Sequence, residues 1–185
     1  MPAHVYVDQT TCRVSVDSSD DIYLLVFRGS TNPPFHNSMS VIHPSAFNDF
    51  DDGESRGNDI QIGRYFDTSV YVVALLERDA DNDFLENGAE FTDLVRAQAN
   101  LAWVTRMGAL SIAGGGISES QRETSADIVI TAIEGTVGLA TKWPVGDDDK
   151  IGRAKYLRIA PGQEPVLTYS GNGGNYRIRF KVKPN

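Results

Sequence analysis

The stretch "VYVVALLERDAD", Val70–Asp81, decides the fold. Its first seven residues are apolar with no alternation, as a strand buried on both faces requires. Acids then crowd its exit at Glu77, Asp79 and Asp81, and Asp83 follows two residues on. Side chains two apart on an extended chain point the same way, so Asp79, Asp81 and Asp83 are expected to converge. Carboxylates a few ångströms apart repel one another unless a cation or a proton intervenes.

Upstream of this strand the chain reads as β. His4–Val7 and Cys12–Val16 are short candidates, and Ile22–Phe27 is a stronger one, rich in branched and aromatic residues. Asn32-Pro33-Pro34 breaks the pattern. Residues 35–59 read as irregular and polar, with acids at Asp49, Asp51, Asp52 and Glu54. Downstream the period changes. Leu94, Ala97, Leu101 and Val104 recur at helical spacing within Phe91–Leu110, with Thr92 as a candidate cap. Ser118-Glu119-Ser120-Gln121 suits a capping box, and Ala126–Thr141 reads as a second helix. Tyr176–Lys183 alternates strictly between apolar and basic residues, after a turn-rich Ser170–Asn175. Strands, then helices, then strands predict a mainly β fold. The expected form is an antiparallel β-sandwich, a single domain over residues 1–185, with a helical insertion over about residues 91–143.

The 185 residues suffice for one sizeable core. Charge is uneven: residues 1–149 hold 9 Lys/Arg against 24 Asp/Glu, and residues 150–185 hold 8 against one. The acidic bulk excludes nucleic acid as an expected partner, because phosphate binding needs clustered cations. Cys12 is the single cysteine, which leaves no disulfide framework and no cysteine-based zinc site. Met1–Asp8 has no basic stretch followed by an apolar one, so no signal peptide is expected, and no apolar run reaches membrane-spanning length.

Among cations, calcium suits the acids best, since it takes six to eight oxygen ligands in flexible geometry. Magnesium demands a stricter octahedron, and zinc would want His4, His36 or His43, which stand away from the acids in sequence. An EF-hand is excluded: counted from Asp79, the sixth position is Phe84 and the twelfth Glu90. Two more acid groups sit at strand edges, Asp20-Asp21 before Ile22–Phe27 and Asp147-Asp148-Asp149 before Lys150-Ile151-Gly152.

The order of these groups resembles a calcium-binding C2-like domain of bacterial or fungal type. "DDIYLLVF" (Asp20–Phe27) is similar to the strand that follows one acidic loop. "ALLERDAD" (Ala74–Asp81) and "DDDKIGR" (Asp147–Arg153) resemble the two halves of another, here separated by the helical segment. "YSGNGGNYRIRFKV" (Tyr169–Val182) resembles the last hairpin of such domains. The resemblance implies a C2-like or jelly-roll-like sandwich that holds Ca2+ at one end. The metal ligands it implies are Asp20, Asp21, Glu77, Asp79, Asp81, Asp83, Asp148 and Asp149. The plain alternative for each is a solvated acidic loop.

The expected function is a calcium-binding module, structural or binding rather than enzymatic: neither GxSxG nor HExxH occurs, and Gly114-Gly115-Gly116 lacks the context of a phosphate loop. Three alternatives stand beside it. One is a module that targets anionic membrane surfaces in response to calcium. Another is a self-assembling subunit of an extracellular, calcium-stabilised filament or coat, with a second copy or another protein as partner. The third is a metal-dependent hydrolase. Calcium use favours a secreted or extracellular setting. The basic face Arg177, Arg179, Lys181 and Lys183 has two readings, a lipid-contacting face and a solvated sheet face. The helical insertion is expected to be separable from the sandwich.

Overall fold

The computed structural model describes residues 2–16, 20–78, 84–114, 116–140 and 151–184. Strand β1 (Ala3–Val14) is followed by β2 (Asp21–Ser30), β3 (Asn37–Ile42), a 3-10 turn at Ser45–Phe47, β4 (Ser55–Tyr65) and β5 (Ser69–Arg78). Helices α1 (Phe84–Ala113) and α2 (Glu119–Ala140) come next, and then β6 (Lys155–Leu157), β7 (Val166–Gly171) and β8 (Gly174–Pro184). The strands form two four-stranded sheets, β4-β1-β8-β7 and β3-β2-β5-β6, with every pairing antiparallel. The expected mainly β, sandwich-like fold with a helical segment is thus what the chain adopts.

The sheet β3-β2-β5-β6 is a middle layer. Ile22, Leu24 and Val26 of β2 and Tyr71, Val73 and Leu75 of β5 pack against the other sheet, with Val5, Val7, Ile178 and Phe180. Their strand neighbours Tyr23, Leu25, Phe27, Val72, Ala74 and Leu76 face the helices. This is why both strands read as apolar without alternation. The sheet β4-β1-β8-β7 has only one covered face, and β8 shows it: Tyr176, Ile178 and Phe180 are buried while Arg177 is exposed. The β7–β8 connection is a two-residue turn, with Gly171 paired to Gly174 and positive φ at Asn172 (47°) and Gly173 (88°). Positive φ at both central residues matches the natural strand twist, and Asn-Gly adopts it readily.

Two sequence expectations change. His4–Val7 and Cys12–Val16 are parts of the single strand β1, whose register shifts between Val7 and Gln9 against both neighbours. Against β8 Asp8 is the extra residue, whereas against β4 it stands opposite two residues, Asn58 and Asp59. The polar stretch 35–59 holds β3 and the start of β4. Both are edge strands, and β3 buries only Met39 among its six residues, so the apolar pattern that marks a strand is nearly absent from it.

The helices carry a sharper correction. α1 starts at Phe84, so Thr92 is a buried interior residue and not a cap. The stripe Leu94, Ala97, Leu101 and Val104 faces outward. The buried stripe is Phe91, Val95, Ala99, Trp103 and Met107, one residue every four. Trp103 decides between them. Its ring lies across Gly29 of β2 with its centroid 5.6 Å from that of Phe27, and its indole N–H donates to Phe35 O at 3.2 Å. α2 begins at Glu119, seven residues ahead of the expected start, behind the capping box: Ser118 N–H donates to Gln121 Oε1 at 2.8 Å and Gln121 N–H to Ser118 Oγ at 3.3 Å. Among the described residues no helix is long and apolar enough to cross a membrane.

Two outcomes are expected from this packing. A Cβ at Gly29 would lie 2.4 Å from the Trp103 ring, so Gly29→Ala should destabilise the fold by about 1–3 kcal/mol, with a matching change in tryptophan fluorescence. The expected separability of the helices does not follow from a middle sheet that packs on them. Replacing residues 84–140 by a Gly/Ser linker should abolish cooperative unfolding in urea, and a retained sharp transition would show that the helices are dispensable cover.

Candidate metal centre

The start of β2 and the end of β5 form one end of the middle sheet, with Asp21 opposite Arg78 and Ile22 opposite Glu77. Glu77 is 3% exposed and stands on the intersheet side, in register with Ile22. Asp20 points to that same side. Its Oδ2 accepts from Tyr176 Oη at 2.6 Å and from Val16 N at 2.7 Å, and its backbone pairs with Phe50 in an isolated bridge. Burial, and then the bond to Asp20, push the Tyr176 hydroxyl far above its ordinary range, so it stays a donor. Burial also raises the neighbouring Cys12 thiol.

Asp21 lies on the opposite face of β2, where its Oδ1 accepts from Asp49 N–H at 2.9 Å. The structure therefore brings Asp20 and Glu77 to one side of the sheet end and sets Asp21 on the other. Asp79, Asp81, Asp83, Asp148 and Asp149 lie outside the described residues. Among the described residues no group of three or more His, Cys, Asp or Glu converges in a way that could hold a metal ion. Where the description resumes, Ile151 is buried and donates its N–H to Leu75 O at 3.1 Å, two residues from Glu77. Gly152 follows with φ of 76°, and a Cβ there would lie 2.8 Å from Ser170 O.

The neighbouring acidic loop holds its own cation. Arg56, on β4, reaches back under residues 46–54. Its guanidinium donates to the carbonyls of Ala46 (3.3 Å), Asn48 (2.6 Å) and Asp49 (2.7 Å) and to both Glu54 oxygens (2.5 and 2.7 Å). It also sits 4.4 Å above the Phe50 ring. Asp49 takes a φ of 53°, which Asp tolerates better than most residues, and its carbonyl is among those Arg56 holds. Asp52 is spent on the end of β1, accepting from Ser15 N (2.6 Å) and Ser15 Oγ (2.8 Å). These bonds hold Asp52 below the usual carboxylate range, and the Arg56 guanidinium does the same for Glu54. Sequence reading missed Arg56. Its one local signal is a lone cation two residues after Glu54, and its carbonyl partners are invisible in a list of side chains.

The basic face of β8 is likewise closed by ion pairs. Arg179 bonds Asp8 (2.6 Å) and approaches Glu164 (3.9 Å), Lys181 contacts Asp8 and Asp59, and Lys183 contacts Asp59. Asp8 and Asp59, from the same sheet, thus pair with three of the four cations, two carboxylates against three positive charges. Of the two readings, the solvated, internally paired face is the one these contacts favour. No protein-family model matches the chain, and neither a curated protein nor a solved structure does.

Arg56→Met should lower stability by about 1–2 kcal/mol at neutral pH, a value discounted for the partial exposure of the pair. Acid should act through the same loop. Asp52 and Glu54 have ordinary values of 3.8 and 4.5 and are depressed in the fold. The unfolded chain therefore takes up protons first, and the stability they contribute is present above those values and lost as pH falls through the depressed ones. Urea titrations across that window should show a shallower acid limb for Arg56→Met than for the parent. An identical limb would mean that the guanidinium does not hold Glu54 ionised.

Proposed function

We propose that the protein is a calcium-binding module, structural or binding rather than enzymatic, whose acidic loops are ordered by Ca2+ at one end of the sandwich. The observation that carries the reading is the Ile151–Leu75 hydrogen bond beside the exit of β5. Asp79 is joined directly to Arg78, and Asp149 stands two residues before Ile151. The described residues that flank the two acidic stretches, Arg78 and Ile151, thus lie at the same strand end as Asp20 and Glu77. Hard oxygen donors without cysteine or histidine suit calcium. The resemblance to C2-like domains, which bind calcium through loops at one end of a sandwich, agrees with this placement. The Asp49–Glu54 loop takes no part, because Arg56 already supplies its positive charge.

Of the alternatives, a self-assembling subunit gains most from the fold, since α1 turns an apolar stripe outward. A lipid-targeting module loses its clearest basis in the paired cations of β8. Extracellular use would fit a weak site, since calcium modules outside the cell bind at about 0.1–1 mM.

Calorimetry and thermal melting test the reading together. A ligand that binds only the native state adds about 2.7 kcal/mol at a hundredfold excess over its dissociation constant, which corresponds to a melting shift of roughly 5–10 °C in a chain of this size. Millimolar calcium should produce that shift and chelator should reverse it. Asp79→Asn with Asp81→Asn should abolish the shift and the calorimetric signal, and should raise the melting point slightly in chelator by relieving repulsion. Equal melting of the parent in calcium and in chelator would overturn the proposal.

A further inference from the structure

The outward face of α1 has no partner among the described residues. Leu94 is 40% exposed, Leu101 62%, Val104 57% and Ile112 89%. Their spacing of seven, three and eight residues keeps them on one side of the helix, a seam of coiled-coil character. Eleven residues between Leu94 and Ala113 are exposed, and none of them is charged. That is unusual in a chain that is 23% charged, since an outward helix face is normally where charges go. The two cations within the span are occupied at its sides, Arg96 by Asp93 and Arg106 by Ser125.

Gly108 is a second, independent sign. It lies on the seam inside a helix, where glycine is costlier than alanine. A Cβ there would meet nothing within 4 Å. Packing within the chain therefore does not call for glycine at this place, whereas close approach of another backbone from outside would.

We infer that α1 is a self-association face, on which a second copy of this chain docks its own α1 in antiparallel fashion. Three features select a second copy. The seam matches itself about a two-fold axis midway between Leu101 and Val104: Leu101 of one copy lies beside Val104 of the other, and Ala97 beside Gly108, so large meets large and small meets small. The face offers no charge by which to recognise a charged partner. The antiparallel sense also keeps two acidic ends apart, because α1 starts beyond Arg78 at the acidic end and reaches Gly29, at the far end of β2, by Trp103. Opposed helix dipoles favour the same sense.

Area sets the strength. Standard interfaces use about 20–30 residues a side, and those burying less than about 1,200 Å² in total are weak or transient. Eleven exposed residues per copy put this contact in the weak class, with a dissociation constant on the order of 10–1000 µM. The inference does not rest on calcium binding, so its test is run in chelator as well as in calcium.

Sedimentation of the full chain over the concentration range set by that constant should show a monomer–dimer equilibrium. Leu101→Glu with Val104→Glu should weaken it at least about tenfold while leaving the melting point within a degree or two, since both side chains point to water. Gly108→Ala separates the idea from general stickiness. It should raise the melting point, as a better helix former, and weaken the dimer by blocking close approach. A parent that stays monomeric throughout overturns the inference, as does a Leu101/Val104 variant that dimerises like the parent, or a Gly108→Ala variant that dimerises more tightly. Co-sedimentation of a monomeric parent with phosphatidylcholine vesicles would assign the face to lipid instead.

Discussion

Ten register pairs join β2 to β5, from Asp21 with Arg78 to Ser30 with Ser69, and they lie between two hydrophobic layers. From Ile22 to Phe27 and from Val70 to Glu77 both faces of this ladder are dry, so every side chain there must be apolar or internally satisfied, and the ladder cannot slip by one residue without exchanging its two faces. The helices and the outer sheet are each fitted to one side of it. Gly29 exists to admit Trp103, and Trp103 sets which stripe of α1 turns inward. Where the ladder ends the apolar constraint ends too, and that boundary is where the acids begin.

The parts of the fold that were legible in the sequence are those where one interaction dominates a local stretch. Val70–Leu76 read as a doubly buried strand because nothing polar interrupts it. Tyr176–Lys183 read as half-buried because its period is two. Ser118–Gln121 read as a capping box, and its two bonds close within four residues. What could not be read depended on partners distant in sequence. α1 has two apolar stripes of similar character, and residues outside the helix, Gly29, Phe27 and Phe35 among them, choose between them. β3 has one buried residue, so its strand state comes from pairing with β2. At the candidate metal centre, Asp20 and Glu77 share one strand end and one side of the sheet. The pleat that sends Asp21 to the other face is elementary, yet a list of nearby acids hides it.

The charge pattern has a similar lesson. A cluster of acids invites a bound cation, but a folded chain supplies cations of its own. Arg56 serves residues 46–54, and Arg179, Lys181 and Lys183 serve Asp8 and Asp59. A guanidinium can bind several carbonyls and a carboxylate at once because its five donors lie in one rigid plane. Acid density along a sequence is therefore a poor measure of vacancy, and the places to look for an external ion are those where the protein's own cations do not reach.

The pairing of β1 with β8 ties Ala3 to Pro184 in the middle of the outer sheet. That contact closes nearly the whole chain, at an entropic cost that grows only with the logarithm of the loop but must be met before the contact forms. On a ribosome, β2 to β5 and the helices would be complete long before β8 emerged. Until then β1 and β4 form a half-sheet whose apolar side lacks Ile178 and Phe180. Folding of the outer layer thus waits for β8, while the middle layer and its helices can already be in place as the template on which β8 lands.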